Sequence, residues 1–285
     1  MRVATWNVNS LNARLERVEA WLAETETDVL CIQETKLADD AFPALSFGSA
    51  GYDGVHHGQG RWNGVAIVSR VGIEDVVHGF ADDGEADPEA RLLTARCGDT
   101  VVVTAYAPNG RAVGHEQFHY KLRWFDRLRA HLDVVADPDD DVLLCGDLNI
   151  APEDRDVWDI DEIHGATHIT DEERARFTAL VDWGMDDAFR HCHPDDDRLY
   201  TWWDYRAGNF HKHKGMRIDH VLTTRPLTDR LAWSIVDRNA RKGKGPSDHA
   251  PLITEFADQP QPTTNAKHSS RDEAPLQPTE PEPRQ

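Results

Sequence analysis

Long apolar runs are missing from this 285-residue chain, and every apolar stretch is shorter than ten residues. A helix that crosses a bilayer needs about 20 such residues, so no membrane span and no membrane partner are expected. Cysteine is scarce: Cys31, Cys97, Cys145 and Cys192 are scattered, with no C-x-x-C pair. That argues against a disulfide framework and suits reduced, buried thiols in a cytoplasmic protein. No secretory leader is read at the start, where Met1-Arg2 runs straight into a strand pattern. Large aliphatics vanish after residue 256. Between 257 and 285 only Leu276 remains, among six prolines. Such a segment cannot bury enough apolar surface to offset its ordering entropy. The expected organisation is one domain over 1–256, followed by a disordered Pro-rich tail over 257–285.

Positive charge is also short. Against 31 Lys and Arg stand 51 Asp and Glu, a formal net charge of −20. Taken as a sum, this opposes a nucleic-acid partner. The distribution reads differently. Acidic runs such as Asp137 to Asp141 and Asp195 to Asp197 fall in loop-like stretches. Basic residues gather as Arg206, Lys212, Lys214 and Arg217, and again as Arg238, Arg241, Lys242 and Lys244. An acidic body with a basic rim would still bind DNA, with marked salt dependence.

What is present is a repeated junction, in which a buried-strand pattern runs into a polar group. Asp141 to Cys145 leads to Gly146-Asp147-Leu148-Asn149, and Val29 to Gln33 leads to Glu34. Val3 to Trp6 leads to Asn7-Val8-Asn9, Val101 to Ala105 to Tyr106 and Asn109, and Gly215 to Ile218 to Asp219. Asp248-His249 stands just before the run Leu252 to Phe256. An unpaired carboxylate in a dry site costs several kcal/mol, so these ends call for a metal, a donor or a substrate. Carboxylates with a distant imidazole are raw material for metal-assisted hydrolysis.

Strand patterns recur at about 2–7, 28–34, 52–57, 63–70, 73–79, 92–97, 100–106, 141–147, 199–205, 216–223, 231–237 and 251–256. Helical patterns fall at about 10–24, 116–135 and 171–183. In the first, Leu11, Leu15, Val18 and Leu22 form an apolar stripe, with Asn9 or Ser10 as N-cap. Many strands with few helices argue against a parallel doubly wound sheet and for two packed sheets with helices outside.

The chain resembles the exonuclease III family of apurinic/apyrimidinic endonucleases, in the deoxyribonuclease I-like superfamily. The motifs are Trp6-Asn7-Val8-Asn9-Ser10, Gln33-Glu34-Thr35-Lys36, Trp62-Asn63-Gly64-Val65-Ala66-Ile67 and Tyr106-Ala107-Pro108-Asn109-Gly110. They continue with Gly146-Asp147-Leu148-Asn149-Ile150-Ala151-Pro152, Thr201-Trp202-Trp203-Asp204-Tyr205, Arg217-Ile218-Asp219 and Ser247-Asp248-His249-Ala250-Pro251. Asn-Ile-Ala-Pro and Trp-Trp-Asp-Tyr are typical of the bacterial branch. The resemblance implies a four-layer α/β sandwich, with two mainly antiparallel sheets flanked by helices and the site at one edge of both.

The resemblance also implies roles. Glu34 is the principal ligand of Mg²⁺, with Mn²⁺ as the substitute ion. Asn7 or Asn9 holds that ligand or a bound water, and Asp248 is a further acid in or next to the metal site. Asp147 activates the attacking water, and Asn149 and Tyr106 contact the phosphate. Asp219 orients His249 and favours its protonated form. Asn109, Arg111 and Arg217 fall to phosphate or DNA binding, and Trp202, Met216 and Ile218 line a pocket for a flipped-out abasic sugar. Relatives often carry Trp or Leu where Met216 stands, so the pocket wall is softer here. The implied activity is hydrolysis of duplex DNA by a monomer: incision 5′ to abasic sites, 3′→5′ exonuclease action and removal of 3′-blocking phosphates. A same-fold enzyme for RNA or small phosphoesters and a non-catalytic DNA-binding module are the alternatives.

One motif points elsewhere. His115-Glu116-Gln117-Phe118-His119 matches the H-E-x-x-H zinc-protease signature. No further Glu follows until Glu153, so the usual downstream ligand is missing, and a chance match is the reading adopted.

Overall fold

A computed structural model of the protein describes residues 1–82 and 84–258. The expected Pro-rich tail, from Gln259 on, lies outside the described residues. The first sheet takes strands from both ends of the chain. It is built from β1 (Arg2–Asn7), β2 (Val29–Gln33), β3 (Asp53–His57), β4 (Val65–Ser69), β11 (Leu231–Val236) and β12 (Leu252–Phe256), in the order β11-β12-β1-β2-β4-β3. The second holds β5 (Glu74–His78), β6 (Leu92–Cys97), β7 (Thr100–Tyr106), β8 (Val142–Asp147), β9 (Met185–Asp187) and β10 (Asp219–Thr224), in the order β5-β6-β7-β8-β10-β9. Pairing is antiparallel except for β1 with β2 and β7 with β8.

Strand periodicity sets the layers. Side chains alternate between faces, so Val3 of β1, Val29 and Cys31 of β2, and Val65 and Ile67 of β4 face the other sheet. There they meet Val102, Leu143, Cys145 and Val221. Ala4, Trp6, Leu30 and Ile32 point outward, against Leu11, Val18, Trp21 and Leu22 of helix α1 (Leu11–Thr25). The outer face of the second sheet, with Val103, Val142 and Leu144, is covered by α3 (Glu116–Val135) and α4 (Asp171–Asp182) through Trp124, Phe125, Leu128 and Phe177. The result is a four-layer α/β sandwich. Central strands covered on both sides read as continuous apolar runs, which is why Val29–Gln33 and Val142–Asp147 were plain in the sequence.

Several expectations need correction. Residues 199–205 do not form a strand. They pair only at isolated bridges, Trp202 with Met216 and with His249. Their aromatics fill two small separate cores, Trp203 with Tyr200 and Trp202 beside Met216 and Ile218. Strand β10 starts at Asp219, three residues later than its pattern suggested. The three-residue β9 and the short helices α2 (Ala44–Ser49), α5 (Ala188–Cys192) and α6 (Arg225–Thr228) carried too few residues to give a period. Ser10 is the residue at the N-cap of α1 but makes no side-chain cap bond. The Ser10 and Leu11 N–H groups donate instead to the carbonyls of Glu34 and Thr35, tying the helix start to the end of β2. Among the described residues no helix is long and apolar enough to cross a membrane.

Candidate active site

The inward-facing rows of both sheets change character towards one end. On β1 the row runs Val3, Thr5, Asn7, and on β8 it runs Leu143, Cys145, Asp147. Beneath the site Gln33 Nε2 donates to Thr5 Oγ1 at 2.9 Å and to Thr104 Oγ1 at 3.0 Å, linking the first sheet to the second. Register then sets Asp147 beside Tyr106 on one side and Asp219 on the other. Gly146 permits this. Its φ is +146°, and a Cβ there would lie 1.8 Å from the Ala105 carbonyl oxygen.

Asn7 joins the carboxylates of the two sheets. Its Nδ2 donates to Glu34 Oε1 and to Asp147 Oδ2, both at 2.9 Å. Tyr106 Oη also donates to Glu34 Oε1, at 2.9 Å, and Lys36 Nζ lies 2.8 Å from Glu34 Oε2. Asp147 Oδ1 accepts the Asn149 backbone N–H at 3.0 Å. His249 turns Nδ1 to Asp219, at 2.9 and 3.1 Å from its two oxygens. Its Nε2 then faces Asp147 Oδ2 at 3.7 Å. Asn149 Nδ2 gives one of its two N–H groups to the Ala107 carbonyl, and Oδ1 accepts from Asn109 Nδ2 at 3.4 Å.

Burial and neighbouring charge set the protonation states. Burial drives Asp147 up, opposed by His249 and Asn7 and aided by the charges of Asp219 and Glu34, to about 7. Burial alone would lower His249, but the carboxylates of Asp219 and Asp147 outweigh it and raise the imidazole to about 10. Glu34 is also desolvated, yet the Asn7 amide and the Lys36 ammonium hold it below its ordinary value. The arrangement therefore offers a carboxylate able to take a proton near neutrality beside an imidazolium that keeps its own.

A cavity of about 320 Å³ opens over these groups, and Glu34, Tyr106, Asn109, Asp147, Asn149, Asp248 and His249 line it together with Trp202, Met216 and Ile218. The apolar wall packs against Ala151, Val157 and Ile169. Trp202 is pinned by Nε1 donating to Asp248 Oδ2 at 3.1 Å, and Asp248 Oδ1 accepts from Asn9 Nδ2 at 3.1 Å. Both oxygens of Asp248 are thus engaged, Oδ2 in holding the wall and Oδ1 by Asn9. Asn7 and Asp219 lie directly beneath the cavity.

The structure separates two expected site residues from the rest. Arg217 is fully buried, not presented to a ligand. Its guanidinium grips Asp156 with two bonds, at 2.8 and 3.0 Å, and Asp187 with a third at 2.6 Å. It cannot meet a DNA phosphate and instead ties the loop before Val157 to β9 and β10. Arg111 is exposed beside Asn109, whose Oδ1 accepts the Arg111 N–H, and does not line the cavity. The basic rim thins as well, since Lys214 pairs with Glu162, Arg206 with Asp204, and Arg241 is buried. His115 caps α3 by accepting from Gln117 N–H, and neither it nor His119 belongs to a group of three ligand-capable residues among those described. Sequence reasoning missed His168, which lines the cavity, and Lys36 on Glu34, and it read Arg206, which also lines the cavity, only as part of the basic rim. Lys36 stood in the Gln-Glu-Thr-Lys motif and could have been found there, whereas His168 sits in an irregular loop with no pattern around it.

Asp147, Asp219 and His249 offer ligand atoms within 4.8 Å of one another. Because Nδ1 is committed to Asp219, that trio is better suited to holding protons. Glu34 and Asp147, hard oxygen donors drawn to one amide, fit a hard divalent cation. The ammonium on Glu34 Oε2 marks an open side that already accepts positive charge.

A family model for the endonuclease/exonuclease/phosphatase family matches residues 4–249. The chain belongs to that family. It is 34% identical to exodeoxyribonuclease III of Haemophilus influenzae over 267 residues, which cover 90% of this chain and all of the relative. Among solved structures it is similar to an AP endonuclease from Archaeoglobus fulgidus, with TM-score 0.86, 37% identity, and coverage of 90% of this chain and 99% of the other. A variant of the 3′ phosphatase NExo from Neisseria, bound to a product DNA hairpin, gives TM-score 0.87 and 39% identity at the same coverage. As a member of the endonuclease/exonuclease/phosphatase family with these relatives, the chain is a hydrolase of the exonuclease III type.

Proposed function

We propose that this protein is a divalent-cation-dependent DNA-repair phosphodiesterase. It would cut duplex DNA 5′ to abasic sites, remove 3′-blocking phosphates and shorten 3′ ends. The observation that carries this reading is the meeting, at one sheet edge, of Asp147 with both the Asn7–Glu34 pair and the His249–Asp219 pair. Similarity to the DNA-bound Neisseria protein supports the substrate.

Each residue has a task that its surroundings suit. Asp147, with its affinity for protons raised to about 7, takes a proton from the attacking water. His249, protonated at neutral pH, turns an N–H towards the phosphate oxygens, and Asp219 keeps that proton in place. The Asn149 and Asn109 amides and the Tyr106 hydroxyl contact the phosphate. General acid–base help supplies about 10²- to 10⁴-fold, so fixed donors must supply much of the remainder. Glu34, with Asp147 nearby and Asn7 fixing both, would hold Mg²⁺, which when bound contributes positive charge against the phosphate. The wall of Trp202, Met216 and Ile218 carries no group that reads a base, so it selects by size and shape.

A duplex bearing a single abasic-site analogue tests the reading. Incision with Mg²⁺ and none with EDTA is expected, and no incision under either condition would refute it. Glu34→Gln removes a charged ligand while nearly preserving shape. The Mg²⁺ concentration for half-maximal rate should rise by about 10- to 100-fold, the scale of losses on perturbing a metal site. An unchanged Mg²⁺ titration would remove Glu34 from the metal site.

Trp202 is tested separately. Aromatic contacts with nucleic acid are worth about 1–3 kcal/mol by alanine substitution. Trp202→Ala should therefore slow abasic-site incision by roughly 5- to 150-fold, and 3′-phosphate removal by less. Equal losses on the two substrates would show that Trp202 supports the whole site through Asp248 and does not select the lesion.

A further inference from the structure

Lys121 of α3 is fully buried, and so is Glu173 in the first turn of α4. Nζ of Lys121 lies 2.5 Å from Glu173 Oε1 and donates to the Asn149 carbonyl at 2.6 Å, with the Asn109 carbonyl at 3.5 Å. Thr167 Oγ1 sits between Glu173 Oε1 at 2.7 Å and the Asn109 carbonyl at 3.2 Å. The loop after β7 closes tightly on this cluster. Gly110 has φ +89°, and a Cβ there would come within 2.8 Å of Thr167 Oγ1. Asn149 is itself left-handed, at φ +50°, a conformation that asparagine takes more readily than most side chains.

A buried ion pair contributes little net stability, because desolvation consumes much of the attraction and apolar residues of similar volume often do as well. The pair therefore needs another role, and its third contact supplies one. We infer that the Lys121–Glu173 pair is a positioning device for the reaction: by holding the carbonyls of Asn149 and Asn109, it fixes where their side-chain amides meet the phosphate. Lys121 never touches the substrate and acts through the two loops. The inference rests on the phosphodiesterase reading above, though its structural half can be tested alone.

The test uses the full chain as wild type, K121M and K121M/E173Q, on duplex DNA with a 3′-terminal phosphate. Gln at position 173 keeps the bonds to Thr170 and Thr167 but leaves no unpaired charge, so the double variant carries the test if K121M fails to fold. Thermal midpoint, kcat, KM and hydrogen exchange of the Asn149 amide, which donates to Asp147, are measured together. Both variants should lose about 10- to 100-fold in kcat, the cost of misplacing a reacting group by an ångström. KM should change by less than about threefold, as for an interaction made mainly in the transition state. Exchange at Asn149 should accelerate by about tenfold, and the double variant should regain thermal midpoint without regaining kcat. Recovery of kcat along with stability would overturn the inference and leave a purely structural pair, as would wild-type kcat and exchange in K121M. If the wild-type chain cut no duplex DNA, the phosphodiesterase reading would fail, and Asn149 exchange alone would decide whether the pair holds the loop.

Discussion

Asp147→Asn is expected to cut turnover by about 10²- to 10⁴-fold while affinity for abasic duplex DNA holds or improves. The residue is 2% exposed, and its carboxylate is held by the Asn149 N–H and the Asn7 amide. An asparagine keeps one acceptor for Asn149, so the loop that carries the phosphate-facing amide keeps its anchor. What disappears is the carboxylate, which burial pushes up to about 7 and so makes a competent base near neutrality. Its negative charge also disappears, and with it repulsion of the DNA phosphates at short range. Single-turnover rates and equilibrium binding by fluorescence anisotropy, on the same folded preparation, separate the two effects. If affinity fell as far as turnover, Asp147 would be a binding or folding residue and the assigned chemistry would be wrong.

Asp219→Asn should be comparably severe for a different reason. Both Asp219 oxygens lie within 3.1 Å of His249 Nδ1, and this carboxylate is the main charge lifting the imidazole to about 10 against its burial. With an amide there, the largest charge opposing desolvation is gone and the imidazole falls from about 10. His249 then gives up its proton more readily as pH rises, and an amide N–H can turn it to the wrong tautomer. A loss of about 10²- to 10⁴-fold in kcat is expected. The sign of its pH dependence follows from the protonated form being the one required: the ratio of variant to wild-type rate should rise as pH falls. Imidazole titration by NMR gives an independent check. A His249 that still kept its proton above pH 9 in the variant would show that Asp219 does not hold it.

The parts of the fold that could be read in the sequence were those with a sustained apolar pattern. Strands buried on both faces, such as Val142–Asp147 and Val101 to Tyr106, show as unbroken apolar runs, and Leu11, Val18 and Leu22 of α1 show as a helical stripe. The polar junctions were legible for the same reason, since an acid ending an apolar run needs an explanation. The segment 199–205 misled because large aromatics favour strands by propensity, while here they fill local cores on either side of an irregular backbone. Arg217 misled because a cation near a catalytic acid suggests phosphate. Its partners, Asp156 in a single helical turn and Asp187 on β9, are distant in sequence and no local pattern links them to it. The Lys121–Glu173 pair was invisible for that reason too, as its two ends lie on different helices.

Among the described residues the first strand pairs with the last, β1 with β12, and the site joins Asn7 and Glu34, from the first sheet and the end of its β2, to Tyr106, Asp147 and Asp219 of the second. Neither sheet alone holds a working set. His249 comes just before β12, which must dock on β1 before the imidazole can reach Asp147. The site is therefore completed only when β12 docks on β1, and a proteolytic cut that removed β12 would take away the support of His249 and disarm the site.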